Sequence, residues 1–370
     1  MEVLYENFTH IEWQQIVMWG LGGLLIFLAI KKNMEPALLL PMGFGAILVN
    51  LPLSGAITQP GEETGVLNVL FNAGIANELF PLLLFIGIGA MIDFGPLLSN
   101  PKLMIFGAAA QFGIFFTLGM AVFFGFDLKD AASIGIIGAA DGPTSIFVGQ
   151  QFDTKYIGAI MVAAYSYMAL VPIVQPPIIK LMTTKKERLI RMPYEQKNIS
   201  KTTRILFPII VTMIAGFISP KSVALIGFLM FGNLIRECTV LNSLSETAQK
   251  QLANLITLLL GLTIALKMQA SEFLNLKTML IMGLGLVAFI FDTVGGVLFA
   301  KLLNLFLKKK INPMIGAAGI SAFPMSARVV HKMGLKEDNQ NFLLMHAIGV
   351  NVSGQVASVI AGGMILSLIG

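Results

Sequence analysis

The sequence has little charge and almost no cysteine. Only 12% of its 370 residues are Asp, Glu, Lys or Arg, and Cys238 is the single cysteine. One cysteine excludes an internal disulfide framework and a cysteine-rich metal site, and three histidines are a poor basis for zinc or iron chemistry. So little charge also excludes an ordinary soluble domain of this length.

Apolar residues are correspondingly abundant. They make up 56% of the chain, and the mean hydropathy is +0.81. This predicts an all-α polytopic protein in a lipid bilayer with about ten spanning helices. The net charge of +5 indicates basic cytoplasmic loops rather than nucleic-acid binding. The predicted spans are residues 13–30, 36–53, 79–98, 103–125, 156–181, 205–218, 221–236, 251–270, 277–305 and 341–369.

A lone carboxylate interrupts the apolar run 135–148, GIIGAADGPTSIFV. Asp141 stands directly before Gly142 and Pro143, and a helix does not pass through Gly-Pro undamaged. Ionised residues at membrane depth usually line an ion path or a water-filled cavity. Asp141 is therefore the first functional candidate. The alternative is a helix cap on a loop outside the membrane.

A second broken stretch, residues 312–330, resembles the first. GAADGPTSIFV at 138–148 is echoed by GAAGISAFPMSARVV at 316–330. In both stretches a GAA motif is followed by a Gly/Pro-interrupted apolar run. The likeness favours an internal duplication.

Loop charge predicts how the two halves are oriented. The basic loop 185–204 is expected in the cytoplasm, and the loops before it fit best if 131–152 is re-entrant. We therefore predict two inverted repeats, residues 1–190 and 191–370. Their broken or re-entrant helices, 131–152 and 312–330, would meet near the membrane midplane, as in secondary transporters.

Neutral oxygen atoms accompany this lone acid. Such a set around one carboxylate suits a monovalent cation better than Ca²⁺ or Mg²⁺. We expect Na⁺, with a proton competing at Asp141. The alternative for the serines is that they are small residues that let helices pack closely. The candidate residues are Asn312, Ser321, Ser326, Asn351, Ser353, Gln355, Tyr165, Ser166 and Tyr167.

Two further charged residues each have two interpretations. Arg328 is either a cation that extends to the cytoplasmic membrane edge or a clamp for an anion, because guanidinium pairs with carboxylate in a fork. Asp292 lies in the middle of a predicted span. It is either an acid on the ion path or a partner for a neighbouring helix.

Four segments carry a resemblance to a known family. They are IGAMIDFGPLLSNP (88–101), GAADGPTSIFV (138–148), AYSYMALVPIVQPPII (164–179) and NPMIGAAGISAFPMSARVV (312–330). Through them the chain resembles the β subunit of the sodium-pumping, biotin-dependent decarboxylases, which act on oxaloacetate, methylmalonyl-CoA, glutaconyl-CoA or malonate. The positions that the family needs fall on Asp141, Tyr167, Asn312, Gly316, Ser321, Arg328 and Asn351.

The resemblance implies a division of labour. A carboxyltransferase subunit would move CO₂ onto biotin held by a biotin carrier protein, with a small membrane-anchored subunit in the complex and a homo-oligomer left open. This chain would decarboxylate carboxybiotin, consume a proton and move Na⁺ out across the bacterial inner membrane. Asp141, Tyr167 and Arg328 would be catalytic, with Arg328 binding carboxybiotin. The Na⁺ ligands would be Asp141, Asn312, Ser321, Asn351 and Ser353.

Two other function classes stay open at the sequence level. A secondary Na⁺-coupled carboxylate symporter or antiporter would have the same repeats and break no bond, and architecture alone does not separate the two. A passive channel or structural subunit fits less well, because packing does not need a buried acid at a helix break. The sequence does not select the acid that is decarboxylated.

Overall fold

The computed structural model describes residues 10–61, 63–193 and 198–370. Residues 194–197, part of the predicted cytoplasmic loop, lie outside this range. The described residues form helices and loops, with no strand among them. The all-α prediction is confirmed.

The first half of the chain contains long helices and several short ones. In chain order they are α1 (Trp13–Lys32), α2 (Pro36–Val49), α3 (Val66–Leu70) followed by a π-helical turn (Phe71–Ile75), α4 (Leu79–Met91), α5 (Gly95–Ser99), a 3₁₀ turn (Pro101–Leu103), α6 (Met104–Ala110), α7 (Phe112–Phe123), α8 (Leu128–Gly135), a 3₁₀ segment (Ile136–Ala139), α9 (Gly142–Gln151), α10 (Ile157–Met182) and α11 (Lys185–Arg188).

The second half is also built of helices and turns. Its elements are α12 (Lys201–Ile218), a 3₁₀ turn (Pro220–Ser222), α13 (Val223–Glu237), α14 (Asn242–Thr247), a π-helical turn (Ala248–Leu252), α15 (Ala253–Ile264), a 3₁₀ turn (Ala265–Met268), α16 (Ala270–Phe273), α17 (Leu276–Phe306), a 3₁₀ segment (Pro313–Gly319), α18 (Met325–Glu337) and α19 (Leu344–Ile369).

Seven helical stretches of the described residues are long and apolar enough to cross a bilayer, and the pair Val66–Ile75 and Leu79–Met91, bent by 60°, makes an eighth if it is one span. The chain is thus a polytopic membrane protein. The predicted number of about ten is not confirmed, because segments 36–53 and 221–236 form helices of only 14 and 15 residues. The seven stretches are Trp13–Lys32, Pro101–Phe123, Ile157–Met182, Lys201–Ile218, Asn242–Met268, Leu276–Phe306 and Leu344–Ile369.

The first broken stretch has its interruption at Asp141. The 3₁₀ segment Ile136–Ala139 ends at Ala140, which has left-handed backbone angles (φ 51°). Asp141 then caps α9, and Pro143 occupies the first turn, where a missing N–H costs no helical hydrogen bond. Gly-Pro therefore starts a new helix rather than kinking an old one.

The second broken stretch is also a 3₁₀ segment followed by a helix. Asn312 caps the segment Pro313–Gly319, and residues 320–324 are non-helical before α18 begins at Met325. The two breaks touch through the backbone, because the N–H of Ser321 donates to the carbonyl of Ala139 over 2.9 Å. Both lie in the buried core.

Candidate functional site

Asp141 is buried at the first break with only 3% of its surface exposed. Its Oδ2 atom accepts from the Thr144 hydroxyl at 2.8 Å, the Ser358 hydroxyl at 2.9 Å and the Gln355 amide at 3.0 Å. Its Oδ1 atom accepts only one longer bond, 3.3 Å, from the Thr144 backbone. One carboxylate oxygen is thus saturated and the other has acceptor capacity left.

Gln355 and Ser358 reach Asp141 from the last helix, α19. With Asn351 they are spaced i, i+4 and i+7, so the three lie on one helical face. All three are buried. The first broken stretch is therefore held by polar side chains from the far end of the chain.

Ser321 and Asn351 hold the second break against the same helix. The Ser321 hydroxyl donates to the Gly354 carbonyl over 3.1 Å, and the Asn351 amide N–H donates to the Ile320 carbonyl over 2.6 Å. Asn351 Oδ1 is buried and has no hydrogen-bond partner among the described residues. A cation would supply the partner that this oxygen lacks.

Tyr165, and not Tyr167, packs beside Asp141. A Cβ atom added at Gly142 would lie 2.3 Å from the Tyr165 ring, and the charge of Asp141 acts on the Tyr165 hydroxyl. That hydroxyl is buried and unpaired within the described residues. Tyr167 points elsewhere, and its hydroxyl donates to the Met282 carbonyl of α17. Two residues along a helix face nearly opposite sides, which explains the difference.

Asn312 and Ser353 are occupied by the backbone. The Asn312 amide donates to the carbonyls of Arg188 and Ile190, both at 2.9 Å, and its oxygen caps Met314 at 3.1 Å. Ser353 donates to the Leu103 carbonyl over 3.0 Å. Neither is among the hydrogen-bond partners of Asp141, and their predicted role as Na⁺ ligands stays a prediction.

Comparison with known proteins places the chain in a family. A sequence model of the Na⁺-transporting oxaloacetate decarboxylase beta subunit matches residues 14–369. Glutaconyl-CoA decarboxylase subunit beta of Acidaminococcus fermentans is 47% identical over 98% of this chain and 96% of its own length. Methylmalonyl-CoA decarboxylase subunit beta of Propionigenium modestum is also 47% identical, over 96% and 95%. Oxaloacetate decarboxylase beta chain of Klebsiella pneumoniae is 43% identical, over 97% and 96%.

This chain belongs to the β-subunit family of the Na⁺-transporting decarboxylases. The resemblance stated from the four sequence segments is thereby confirmed. The alignments cover nearly the whole of each chain, so membership extends from the first helix to the last.

Arg328 of this β-family chain lies away from the buried acid, on α18. It is exposed, and its charge acts on Glu35, which lies at the start of α2. Burial raises the pKa of the Glu35 carboxyl, and the positive charge of Arg328 offsets part of that rise. Arg328 forms no ion pair with Glu35 or another described carboxylate, and an exposed guanidinium can bind an anion.

Ser358 and Thr144 are residues of the β-family site that the sequence interpretation missed. Thr144 lies three residues after an N-cap aspartate, the usual position of an N-cap contact. Ser358 is one turn beyond Gln355 on the face that begins with Asn351. The i, i+4, i+7 spacing of polar residues in a mostly apolar helix could have identified Ser358 as a site residue.

Proposed function

We propose that this chain is the membrane subunit of a Na⁺-translocating decarboxylase, in which it decarboxylates carboxybiotin and moves Na⁺ outward with consumption of a proton. The family membership supports decarboxylation linked to Na⁺ transport. The residue-level proposal rests on one observation. Asp141 is a buried carboxylate at a helix break, and its Oδ1 atom accepts only one long hydrogen bond.

Na⁺ is the proposed transported ion, and the oxygen atoms near Asp141 are suitable ligands for it. Na⁺ takes oxygen ligands, and Asp141 Oδ1, Asn351 Oδ1 and the Tyr165 hydroxyl are oxygens with capacity left. The described residues hold no group of three or more Asp, Glu, His or Cys that would favour a divalent ion. We assign Asp141, Asn351 and Ser321 to the ion path. Asn312 and Ser353 would join it only if the broken stretches move.

The chemical step is assigned to the cytoplasmic side. Carboxybiotin carries a carboxylate, so exposed Arg328 would bind it there in a bidentate pair. Loss of CO₂ leaves biotin with a basic nitrogen that takes up a proton. Tyr167 is proposed to deliver that proton, after leaving the Met282 carbonyl that it contacts in this state. The biotin itself would be carried by a partner protein.

The partners follow from the same assignment. A carboxyltransferase subunit would load biotin, a biotin carrier protein would bring it, and a small membrane-anchored subunit would complete the complex. We place the chain in the bacterial inner membrane, with the basic loop 185–204 on the cytoplasmic side where the carrier approaches.

The contacts of two glutamines support the proposal of two inverted repeats. Gln355 of α19 donates to Asp141 in the first broken stretch. Gln175 of α10 donates to the Ala317 carbonyl over 2.7 Å and accepts from Ser326 at 3.0 Å in the second. Each broken stretch is therefore bound by the last long helix of the other half. Reciprocal contacts of this kind are expected between two repeats of opposite orientation, residues 1–190 and 191–370.

Asp141→Asn tests the function directly. The complex is reconstituted into inverted vesicles with a carboxybiotin donor, and radioactive Na⁺ uptake is followed beside CO₂ release. We expect both activities to be lost while the protein stays folded, since Asn keeps the size and removes the charge. Asp153→Asn, at an exposed position just after α9, is the control and should keep both.

Three results would contradict the proposal. Full turnover in Asp141→Asn would remove the acid from the mechanism. Decarboxylation indifferent to Na⁺ would remove the coupling. Na⁺-driven uptake of a free carboxylate without CO₂ release would identify a symporter instead.

A further inference from the structure

A second carboxyl group, Asp292, is completely buried in the middle of α17. Its Oδ1 atom accepts from the backbone N–H of Gly113, at the start of α7, and the neighbouring Ile114 N–H also acts on the carboxyl group. Gly113 belongs to the first turn of that helix, where N–H groups lack the carbonyl four residues earlier as a helical partner. One side of Asp292 thus caps the break between α6 and α7.

The other oxygen of Asp292 has no partner. Oδ2 is buried and accepts or donates no hydrogen bond within the described residues. It points at the 3₁₀ segment Ile136–Ala139, since a Cβ atom added at Gly138 would lie 2.9 Å from it. The same added atom would lie 2.8 Å from the Ala288 side chain, so there is little space between Gly138 and α17.

Nearby charges do not explain this free oxygen. No ion pair among the described residues involves Asp292. Tyr167 donates to Met282, and Asp130 accepts from Thr154, so both are engaged elsewhere. The titratable groups on the elements that pack against α17 are Lys129, Asp130, Tyr165, Tyr167, Lys180 and Glu272, with Asp141 just beyond the 3₁₀ segment.

The choice of ligand follows from the geometry. An ionised carboxylate with one bare oxygen at membrane depth is expensive. Na⁺ would need several further oxygens, whereas Oδ2 has no hydrogen-bond partner among the described residues and faces Gly138 beside the Ala288 side chain. A proton needs only the carboxyl itself. We therefore expect Oδ2 to carry a proton.

We propose that Asp292 is a proton-binding site, and that its proton is linked to cation binding at Asp141 through the segment Ile136–Ala139. Gly138 faces Asp292, Asp141 follows three residues later, and Ala139 accepts from Ser321 of the second break. A shift of this short segment therefore changes both carboxyl sites together. The linkage rests on the proposed Na⁺ function, whereas the proton site does not.

Infrared spectroscopy of the purified full-length protein tests the proton site. A protonated carboxyl shows a C=O stretch distinct from that of a carboxylate and sensitive to deuterium. We expect one such band that is present in the Asp141→Asn variant and absent in Asp292→Asn. Asn suits the site because it keeps an oxygen for the Gly113 N–H. A band that persists unchanged in Asp292→Asn overturns the proposal.

Gly138→Ala keeps the test decisive if Asp292→Asn does not fold. Its added methyl would meet Oδ2 at 2.9 Å, so the carboxyl band is expected to shift. Gly283→Ala, where an added Cβ atom meets nothing within 4 Å, is the control and should leave the band unmoved. A band that Gly138→Ala does not shift counts against Asp292 as its source.

Na⁺ titration tests the linkage separately. The rise in Tm on adding NaCl is measured between pH 5 and 9 for the wild type, Asp292→Asn and Asp153→Asn. We expect the apparent Na⁺ affinity of the wild type to change at least fivefold across this range and that of Asp292→Asn to change less than twofold. Equal pH profiles overturn the linkage. Absence of any Na⁺ effect in the wild type would overturn the proposed function and the linkage but leave the infrared result standing.

Discussion

At the scale of single residues, Asp141 is surrounded by donors that suit its charged form. Three of its four hydrogen bonds converge on Oδ2, which leaves Oδ1 as the atom able to contact a cation. Hydrogen bonds to a charged group contribute roughly 1.5–3 kcal/mol each. The donors therefore matter to the ion as much as the acid does.

Ser358→Ala should weaken Na⁺ binding. It removes the hydroxyl that donates to Oδ2 over 2.9 Å, so the charged acid loses one stabilising bond. We expect the Na⁺ concentration for half-maximal activity to rise about tenfold or more, given the energy of such bonds. Ser367→Ala on the same helix, whose hydroxyl contacts only Gly363, is the control. An unchanged Na⁺ dependence in Ser358→Ala would show that this donor is not used.

The electrostatic influence of Arg328 on Glu35 predicts a pH effect on the proposed binding of carboxybiotin at Arg328. Because burial raises the pKa of Glu35, this carboxyl takes up its proton at a higher pH than an ordinary glutamate. As pH falls through that range, Arg328 loses a competing anion, so the apparent KM for the carboxybiotin donor should fall. Glu35→Gln should lower the KM about two- to fivefold at neutral pH, because the charges influence each other weakly without direct contact, and should remove the pH effect. A KM that follows the wild-type profile would contradict this.

The residues of the site were predictable to different degrees. Asp141 stood out because a charge beside Gly-Pro in an apolar run has few explanations. The choice between Tyr165 and Tyr167 was not predictable, since it depends on how α10 is rotated against its neighbours. Asn312 illustrates another limit. The sequence shows that position 312 carries an amide. Its hydrogen-bond partners are the backbone carbonyls of Arg188 and Ile190, and a sequence does not show which backbone groups a side chain will contact.

At the scale of elements, the broken stretches depend on close approach to α19. Gly354 faces the backbone of Gly319, and a Cβ atom added there would lie 2.0 Å from the Gly319 carbonyl oxygen. Backbone atoms cannot swing away as a flexible side chain can. The second break is therefore positioned by a contact that only glycine permits.

Gly354→Ala should separate α19 from the second break. Overpacking of this kind costs about 1–3 kcal/mol or more, and we expect a lower Tm and loss of Na⁺ coupling. Gly283→Ala on α17 has open space around it and should leave Tm unchanged or raise it slightly, because alanine favours a helix. Equal Tm values for the two variants would refute the packing argument.

Two broken stretches that meet were predicted from the sequence, but the atoms that join them were not. Gly142, Pro143 and Pro324 indicated where helices end, because Gly and Pro act locally. The bond between Ala139 and Ser321 joins residues far apart in sequence through backbone atoms. The predicted number of spans is not confirmed, because hydropathy counts apolar residues and does not report where a helix stops, as at Val49 and Glu237.

At the scale of the whole molecule, the segment after α10 is tied to the second half. Arg188 pairs with Glu337 over 2.7 Å, and both side chains are mostly buried. The Arg188 carbonyl accepts from Asn312 and Asn341, each at 2.9 Å. The segment that links the two halves therefore also contacts the start of the second broken stretch and the end of α18.

Glu337→Gln should loosen this connection. Arg188 would lose its charged partner in a mostly buried position, and we expect a loss of about 1.5–3 kcal/mol, measured as a lower Tm in detergent. Glu246→Gln breaks the Glu246–Lys250 pair, which is exposed, and should change stability by less than about 0.5 kcal/mol. A Glu337→Gln variant as stable as this control would show that the pair contributes nothing.

The hydrogen bond from Ser321 to Ala139 uses main-chain atoms on both sides. Exchanging the side chain at either position leaves those atoms in place, so the joint is insensitive to most mutations. Only proline at position 321 deletes the donor outright. Replacing Ser321 by alanine would thus remove its hydroxyl from the proposed ion path and leave this backbone connection intact.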